Sequence, residues 1–230
     1  MRVNWPPMLR PHDVMWRLET QSRSGGVSLT GSEQIVSSGA GRWRCRIDLR
    51  TYGTSHDGRE EAVLALRAFV AQMEGRVGEI LLPAFDGYRP RDAAGNMLSD
   101  VEQVPLGHLF LFDHLGFGQQ ELTHATLAAP AALRATEIAV TVLDGQGPRP
   151  GHYFSLGERL YIAQLVWRAA PDSETHIRFS PPLRTAATTG ERVILDKPRC
   201  LMRLASDDTG ELVLQMRKWG ETTIEFVEAW

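Results

Sequence analysis

The chain has 230 residues, of which 43% are hydrophobic and 23% charged, a composition typical of a globular protein large enough for one large domain or two small ones. Its formal net charge of −3 argues against a dedicated nucleic-acid-binding protein, because such proteins usually carry an excess of basic residues. The sequence contains neither an apolar run of transmembrane length nor the apolar segment of a signal peptide, so we expect a soluble product of the cytoplasm.

The N-terminal segment is predicted to be an extended arm. Residues 1–13 contain three prolines and little hydrophobic periodicity. Trp5 and Met8 are expected to be covered, either by the chain's own sheet or by a neighbouring subunit. Residues 14–21 follow as a first strand. Its apolar face would consist of Val14, Trp16 and Leu18.

Residues 28–50 predict a β-hairpin. Its two strands run over 28–37 and 42–50, and a glycine-containing turn at 38–41 joins them. The second strand alternates between apolar and charged residues, so one of its faces is predicted to be buried and the other solvated. The residues predicted to lie near the core are Leu29, Ile35, Val36, Trp43, Cys45, Ile47 and Leu49.

The charged face of the second strand is the unusual charge feature of this sequence. It carries Arg42, Arg44, Arg46 and Arg50. Like charges on one strand face repel each other unless something opposes them. Two interpretations follow. The arginines form a solvated face, or they form an interface to acidic residues of a partner subunit or line a channel that meets a polyanion.

One helix and two further strands complete this first block. Apolar residues recur at three- and four-residue spacing from Ala62 to Met73, and Gly75 stands where a helix normally ends. Residues 77–83 predict a short strand beside the hairpin. The alternating run 222–227 predicts a C-terminal strand that returns to the same sheet.

The region between these parts divides into two. Residues 86–127 are rich in turn-forming residues and predict a long connection or a flexible β-arm. Residues 128–199 contain short strands separated by Gly and Pro, which is typical of a small β-barrel. We therefore predict a mainly β (α+β) fold with two domains. A discontinuous first domain spans 1–127 and 200–230, and a barrel at 128–199 is inserted into it.

The sequence contains no motif that selects a catalytic or metal-binding site. His108 and His114 lie six residues apart, and no third ligand follows at motif spacing. A phosphate-binding loop and a nucleophile elbow are also missing. We therefore expect neither a metal ion nor another cofactor. Cys45 and Cys200 lie in apolar strand patterns and are expected to be buried residues rather than a disulfide.

Aromatic residues of the predicted barrel suggest a second kind of site. They either line a sugar-binding groove or fill the barrel core. Tyr153 and Trp167 are the residues that we would assign to glycan contact. The full aromatic set is Tyr153, Phe154, Tyr161 and Trp167.

Three segments of the chain look similar to tail proteins of phages and prophages. They are 28–34 (SLTGSEQ), 151–161 (GHYFSLGERLY) and 180–184 (SPPLR). The order of parts adds to this likeness: a sheet with one helix, a long hairpin, an inserted barrel and a C-terminal return strand. The chain thus resembles the distal tail proteins of long-tailed bacteriophages (siphophages) and gene transfer agents. The likeness covers most of the chain and is weakest over the N-terminal arm and 86–127.

The resemblance implies a structural, non-enzymatic virion protein of the tail tip, or baseplate, that is synthesised in the host cytoplasm. Its tail-tube-like β-sandwich or barrel domain would form a homo-hexameric ring between the tail tube protein and the baseplate hub protein. The inserted barrel would point outward, and other tail-tip proteins would be further partners. Neither a membrane anchor nor a site for specific nucleic-acid sequences is implied.

Two other functions stay open at this point. The first is a carbohydrate-binding module for host-surface contact, which would use the inserted barrel. The second is a hydrolase with a site built around His108 and His114.

Overall fold

A computed structural model describes residues 2–20, 22–37, 41–50, 56–91, 95, 124–170, 174–211, 213–215 and 219–229. This part of the chain is mostly β-structure, with one long helix, and it includes a closed barrel. The predicted mainly β fold is confirmed at that level. The chain divides into two compact units, of which the first comprises Met1–Ala84 with Arg199–Trp230 and the second Phe85–Pro198.

Helix α1 spans His56–Met73, and a 3₁₀ turn follows at Gly75–Val77. The strands, in chain order, are β1 (Arg2–Val3), β2 (Pro11–Glu19), β3 (Ser22–Val27), β4 (Glu33–Ser37), β5 (Arg42–Arg50), β6 (Glu79–Pro83), β7 (His124–Leu127), β8 (Glu137–Asp144), β9 (Tyr153–Leu156), β10 (Arg159–Arg168), β11 (Thr175–Ser180), β12 (Arg192–Ile194), β13 (Arg199–Leu204), β14 (Val213–Gln215) and β15 (Trp219–Glu228).

The first unit is built on a seven-stranded sheet. Its strand order is β1-β6-β13-β15-β5-β2, and β14 also pairs with β15. β1 runs parallel to β6, whereas the other neighbours are antiparallel. The C-terminal strand β15 therefore belongs to this sheet, as predicted, and lies between β13 and β5. The apolar face of β5 is buried as predicted, through Trp43, Cys45, Ile47 and Leu49.

Helix α1 and the N-terminal arm pack on the buried face of this sheet. Leu66, Phe69 and Met73 lie on the apolar stripe of the helix and are fully buried. The ring of Trp5 meets those of Phe69 and Phe226 edge to face, with centroids 5.4 and 6.3 Å apart. Of the two predicted environments for the arm, its own sheet is therefore the one observed for Trp5.

The end of the helix depends on a glycine. Gly75 has a φ of +65°, in the left-handed region that favours glycine. A Cβ atom there would lie 2.6 Å from Oδ1 of Asp207. The same carboxylate accepts a hydrogen bond from the backbone N–H of Arg76 at 3.0 Å. Asp207 thus holds the turn that leads from α1 into β6.

The predicted hairpin between 28–37 and 42–50 is wrong. β4 pairs with β3, whereas β5 pairs with β2 on one edge and with β15 on the other. Strands β2 to β5 thus form two successive antiparallel ladders, the second of which, β3–β4, ends in a turn at 28–32. The apolar residues Leu29, Ile35 and Val36, predicted near the core, are exposed. Ile35 and Val36 lie on β4 of a separate two-stranded sheet, and Leu29 lies in the turn that joins its strands.

The second unit contains a closed six-stranded barrel with the strand order β10-β11-β8-β7-β12-β9. Pairing of β9 with β10 closes the ring of strands, so the described barrel has no free sheet edge. Phe154, Tyr161 and Phe179 fill its interior, with ring centroids 5.1 to 5.5 Å apart. Phe154 and Tyr161 are therefore core residues rather than walls of a sugar-binding groove.

The observed division of the chain differs from the predicted domain boundary at residue 128. The second unit begins at Phe85, and its barrel includes β7, which precedes residue 128. β7 pairs with β8 and β12, so it cannot be separated from the barrel sheet. A four-residue strand flanked by a turn-rich region gives too little alternation to be recognised from sequence.

Candidate interaction surfaces

The four predicted site arginines lie in one row on the outer face of the first sheet. Strand β5 positions them there because its alternate residues face the core. Neighbouring strands place carboxylates beside them. Arg44 Nε lies 2.8 Å from Glu19 Oε2 of β2, and Arg50 Nε lies 3.5 Å from Glu221 Oε1 of β15.

The other two arginines also find acceptors within the same unit. Arg46 Nε donates to Asp48 Oδ1 at 3.2 Å. Arg42 donates two hydrogen bonds to the backbone oxygen of Glu228, from Nε at 3.1 Å and from Nη2 at 2.7 Å. Partial burial, together with the nearby Arg203, lowers the pKa of the Arg42 guanidinium.

The Asp48 carboxylate is stabilised in its charged form by this arrangement. A hydrogen bond from the Thr223 hydroxyl, with a further one from Arg46, lowers the pKa of Asp48. The outer face of the sheet is therefore a mixed network of arginines and carboxylates. The repulsion along the arginine row is relieved within this chain, and a partner's acidic residues are not needed to oppose it.

Strand β2 is an edge of the first sheet. It pairs with β5, and no other strand among the residues that the structure describes pairs with it. On the side away from β5, alternate residues of an edge strand present backbone N–H and C=O groups that can pair with a strand of another chain. Met15, on its outer face, is 59% exposed.

The two-stranded sheet of β3 and β4, with its turn at 28–32, is a second surface available to another chain. We call it the β-arm. All residues of both strands are exposed. Val27, Leu29, Ile35 and Val36 are between 60 and 109% exposed. An apolar set of this size on a hairpin with no described packing partner is unusual for a surface that remains in water.

The turn of the β-arm is ordered by its own hydroxyl groups. The Oγ atom of Ser28 lies 2.8 Å from Thr30 Oγ1 and 2.7 Å from Ser32 Oγ. The backbone N–H of Ser28 donates to the carbonyl oxygen of Ser32 at 2.9 Å. Leu29 is therefore presented from a closed, hydrogen-bonded turn, which lowers the entropy lost when a partner covers it.

The two residues assigned to glycan contact are not brought together. Tyr153 lies on β9 opposite Ile162, whereas Trp167 lies five residues further along β10. At about 3.3 Å per residue, this separation is about 16 Å. Trp167 instead stacks on His176 of the neighbouring strand, with ring centroids 5.4 Å apart. Sequence reasoning did not identify His176, because strand pairing alone makes the two rings neighbours.

The remaining expected sites lie outside the described residues or lack a ligand set. His108 and His114 fall in the stretch 96–123, which the structure does not describe. The described residues contain no group of three or more His, Cys, Asp or Glu side chains arranged to bind a metal. Cys45 and Cys200 are buried and are not linked, and burial raises the pKa of the Cys45 thiol. Among the described helices, none has the length and apolar character of a membrane span.

Comparison with known proteins gives no assignment. No protein-family model matches the chain, and no curated protein is significantly similar to it in sequence.

Proposed function

We propose that this chain is a structural protein of a phage tail tip that assembles into a ring, of six copies, between the tail tube and the baseplate hub. The sequence likeness to distal tail proteins supports the proposal. The observation that carries it is the exposure of the β-arm, because a ring subunit buries its exposed apolar surfaces against its neighbours. The proposal assigns the chain no catalytic activity and no cofactor.

The energetics of the β-arm favour an assembled state. Fully burying an exposed Val, Leu or Ile side chain contributes about 1.5–3 kcal/mol. The β-arm offers four such side chains on a hairpin that is marginal in isolation. The consecutive residues Ile35 and Val36 point to opposite faces, so a contact with one face of the arm buries only part of this set. Part of the gain offsets the loss of translational and rotational freedom on association. The remaining free energy would stabilise the arm in contact with a neighbouring copy, whereas the uncovered arm is only marginally stable.

The free edge of β2 supports the same proposal. Because the β-arm and the β2 edge are different surfaces of one subunit, a contact between copies that uses them would be heterologous. Heterologous contacts close into rings when the rotation between copies permits it, and every copy then has its edge covered. Six copies is the number that the resemblance implies.

The experiment is a measurement of mass in solution by light scattering, across a concentration series of the full chain, alone and co-expressed with tail tube and hub proteins. We expect a hexamer or reversible growth toward one. A variant with Leu29→Asp and Ile35→Asp should lose this association without losing its fold, since both side chains are exposed. Leu133→Asp with Leu143→Asp is the matched control, because these barrel residues are 56 and 55% exposed.

Two outcomes would count against the proposal. A monomer at every concentration, with and without the tube and hub proteins, would remove the ring. Equal association of the wild type and the arm variant would remove the β-arm from the contact and leave the β2 edge to be tested.

A further inference from the structure

We infer that the outer face of the barrel around Trp167 and His176 is a binding site for a carbohydrate. This goes beyond the proposed function, because a ring can form whether or not the barrel binds a sugar. Strand β10 contains an irregularity in its pairing with β11. Residues on either side of it point to opposite faces of the barrel sheet.

The irregularity is a β-bulge at Gln164. Ala163 pairs with Phe179, and the next pair is Leu165 with Arg178. Before the bulge, Tyr161 and Ala163 face the barrel core, and after it Val166 packs against the core instead. The bulge therefore turns Leu165 and Trp167 outward, where regular alternation would have buried them. The two side chains are 53 and 40% exposed.

Two flat rings are aligned on this outward face. Trp167 pairs directly with His176 of β11, and their rings are nearly parallel, at 13°, with centroids 5.4 Å apart. Stacking of this kind holds both rings in defined orientations. The imidazole thus holds the indole from one side, and the opposite side of the indole is the one that a ligand can contact.

Polar groups of both charges, one carboxylate and one guanidinium, lie beside the two rings. Glu137 Oε1 of β8 lies 3.6 Å from His176 Nδ1. Glu137 is also opposite Arg178, which in turn is opposite Leu165. Because paired residues point to the same face of a sheet, Arg178 and Glu137 lie beside the rings. A carboxylate acceptor and a guanidinium donor therefore stand at the rim of an apolar surface.

The chemistry of this surface matches a pyranose ring. One face of a pyranose carries C–H groups, which pack on the electron-rich face of an indole. Its edge carries hydroxyl groups, which donate to a carboxylate and accept from a guanidinium. Three strands about 4.8 Å apart make the surface about 10 Å wide, the size of one or two sugar rings. A stable protein interface would need a far larger area, on the order of 800 Å² on each partner.

The experiment is a glycan array carrying bacterial surface and other oligosaccharides, probed with the full-length protein, followed by calorimetric titration with the oligosaccharide that binds best. We expect Trp167→Ala to weaken binding by about tenfold or more. His176→Ala should also weaken it, whereas Trp167→Phe should retain part of the affinity. Tyr153→Ala is the matched control, since Tyr153 is an aromatic residue on another part of the same barrel. Circular dichroism would verify that each variant is folded.

Each outcome decides the inference. Weakened binding in the Trp167 and His176 variants, with full binding by the Tyr153 variant, supports it. Absence of any binding to the array overturns it, as does full binding by folded Trp167→Ala. Capture of a protein partner that Trp167→Ala abolishes, without glycan binding, would also overturn it. Light scattering on the same variants distinguishes a loss of sugar binding from a loss of ring assembly, because we expect their mass to equal that of the wild type.

Discussion

Among single residues, Glu228 joins the last strand to the charged row of β5. Its side chain is fully buried, and Oε2 accepts a hydrogen bond from the backbone N–H of Trp43 at 3.2 Å. Its backbone oxygen accepts the two hydrogen bonds of Arg42. One residue therefore binds both Arg42 and Trp43 of β5 at the point where β15 ends.

We expect Glu228→Ala to destabilise the protein by about 1–3 kcal/mol, since it removes a buried acceptor of the Trp43 N–H. Glu221→Ala is the matched control on the same strand. The ion pair of Glu221 with Arg50 is solvent-exposed, so its loss should cost about 0–1 kcal/mol. Urea unfolding measures both values. Equal destabilisation by the two substitutions would contradict the role assigned to Glu228.

The sequence predicted part of this detail. The alternation along β5 correctly separated its buried residues from its arginines. It left the partners of those arginines open, because Glu19, Glu221 and Glu228 are distant in sequence and become neighbours only through strand pairing. A charged row on a strand is therefore best interpreted after the adjacent strands are known.

At the scale of secondary structure elements, the hydrophobic pattern of the sequence predicts burial correctly for helix α1 and incorrectly for the β-arm. The stripe of α1 repeats over several turns, and one sheet face is large enough to bury it, so pattern and packing agree. In the β-arm, isolated apolar residues stand opposite small or polar ones, such as Ile35 opposite Ser24 and Val36 opposite Arg23. Hydrophobicity alone predicted burial there, but no described element of the first unit covers these residues.

For α1 we expect a strong contrast between two leucines two positions apart. Leu66→Ala should destabilise the protein by about 2–5 kcal/mol, because it opens a cavity under the sheet. Leu64 is 53% exposed, so Leu64→Ala should change stability by about 0.5 kcal/mol or less. The midpoint of urea unfolding, followed by circular dichroism, distinguishes the two. A small effect of Leu66→Ala would mean that α1 contributes little to the core.

At the scale of the whole molecule, the sequence indicated an inserted barrel but placed its start too late. Strong turns and regularly spaced strands identified the region after residue 128. β7 was missed because its barrel partners, β8 and β12, lie later in the chain and were needed to define it. The bulge in β10 was equally hidden, since Tyr161, Ala163, Leu165 and Trp167 read as one continuous face when no pairing is known.

Assembly of the whole molecule can rest on two kinds of contact, and salt separates them. If the β-arm makes the contact, burial of apolar side chains dominates, and salt should leave the association unchanged or strengthen it. If Arg42, Arg44, Arg46 and Arg50 meet acidic residues of a partner subunit, screening should weaken it. We expect the first result, because the arginines already have acceptors in their own chain.

Sedimentation velocity at about 0.05 and 0.5 M sodium chloride measures the difference, since the Debye length falls several-fold over that range. Arg46→Gln with Arg50→Gln should then sediment like the wild type. A loss of mass at high salt, or in this variant, would move the interface from the β-arm to the arginine row.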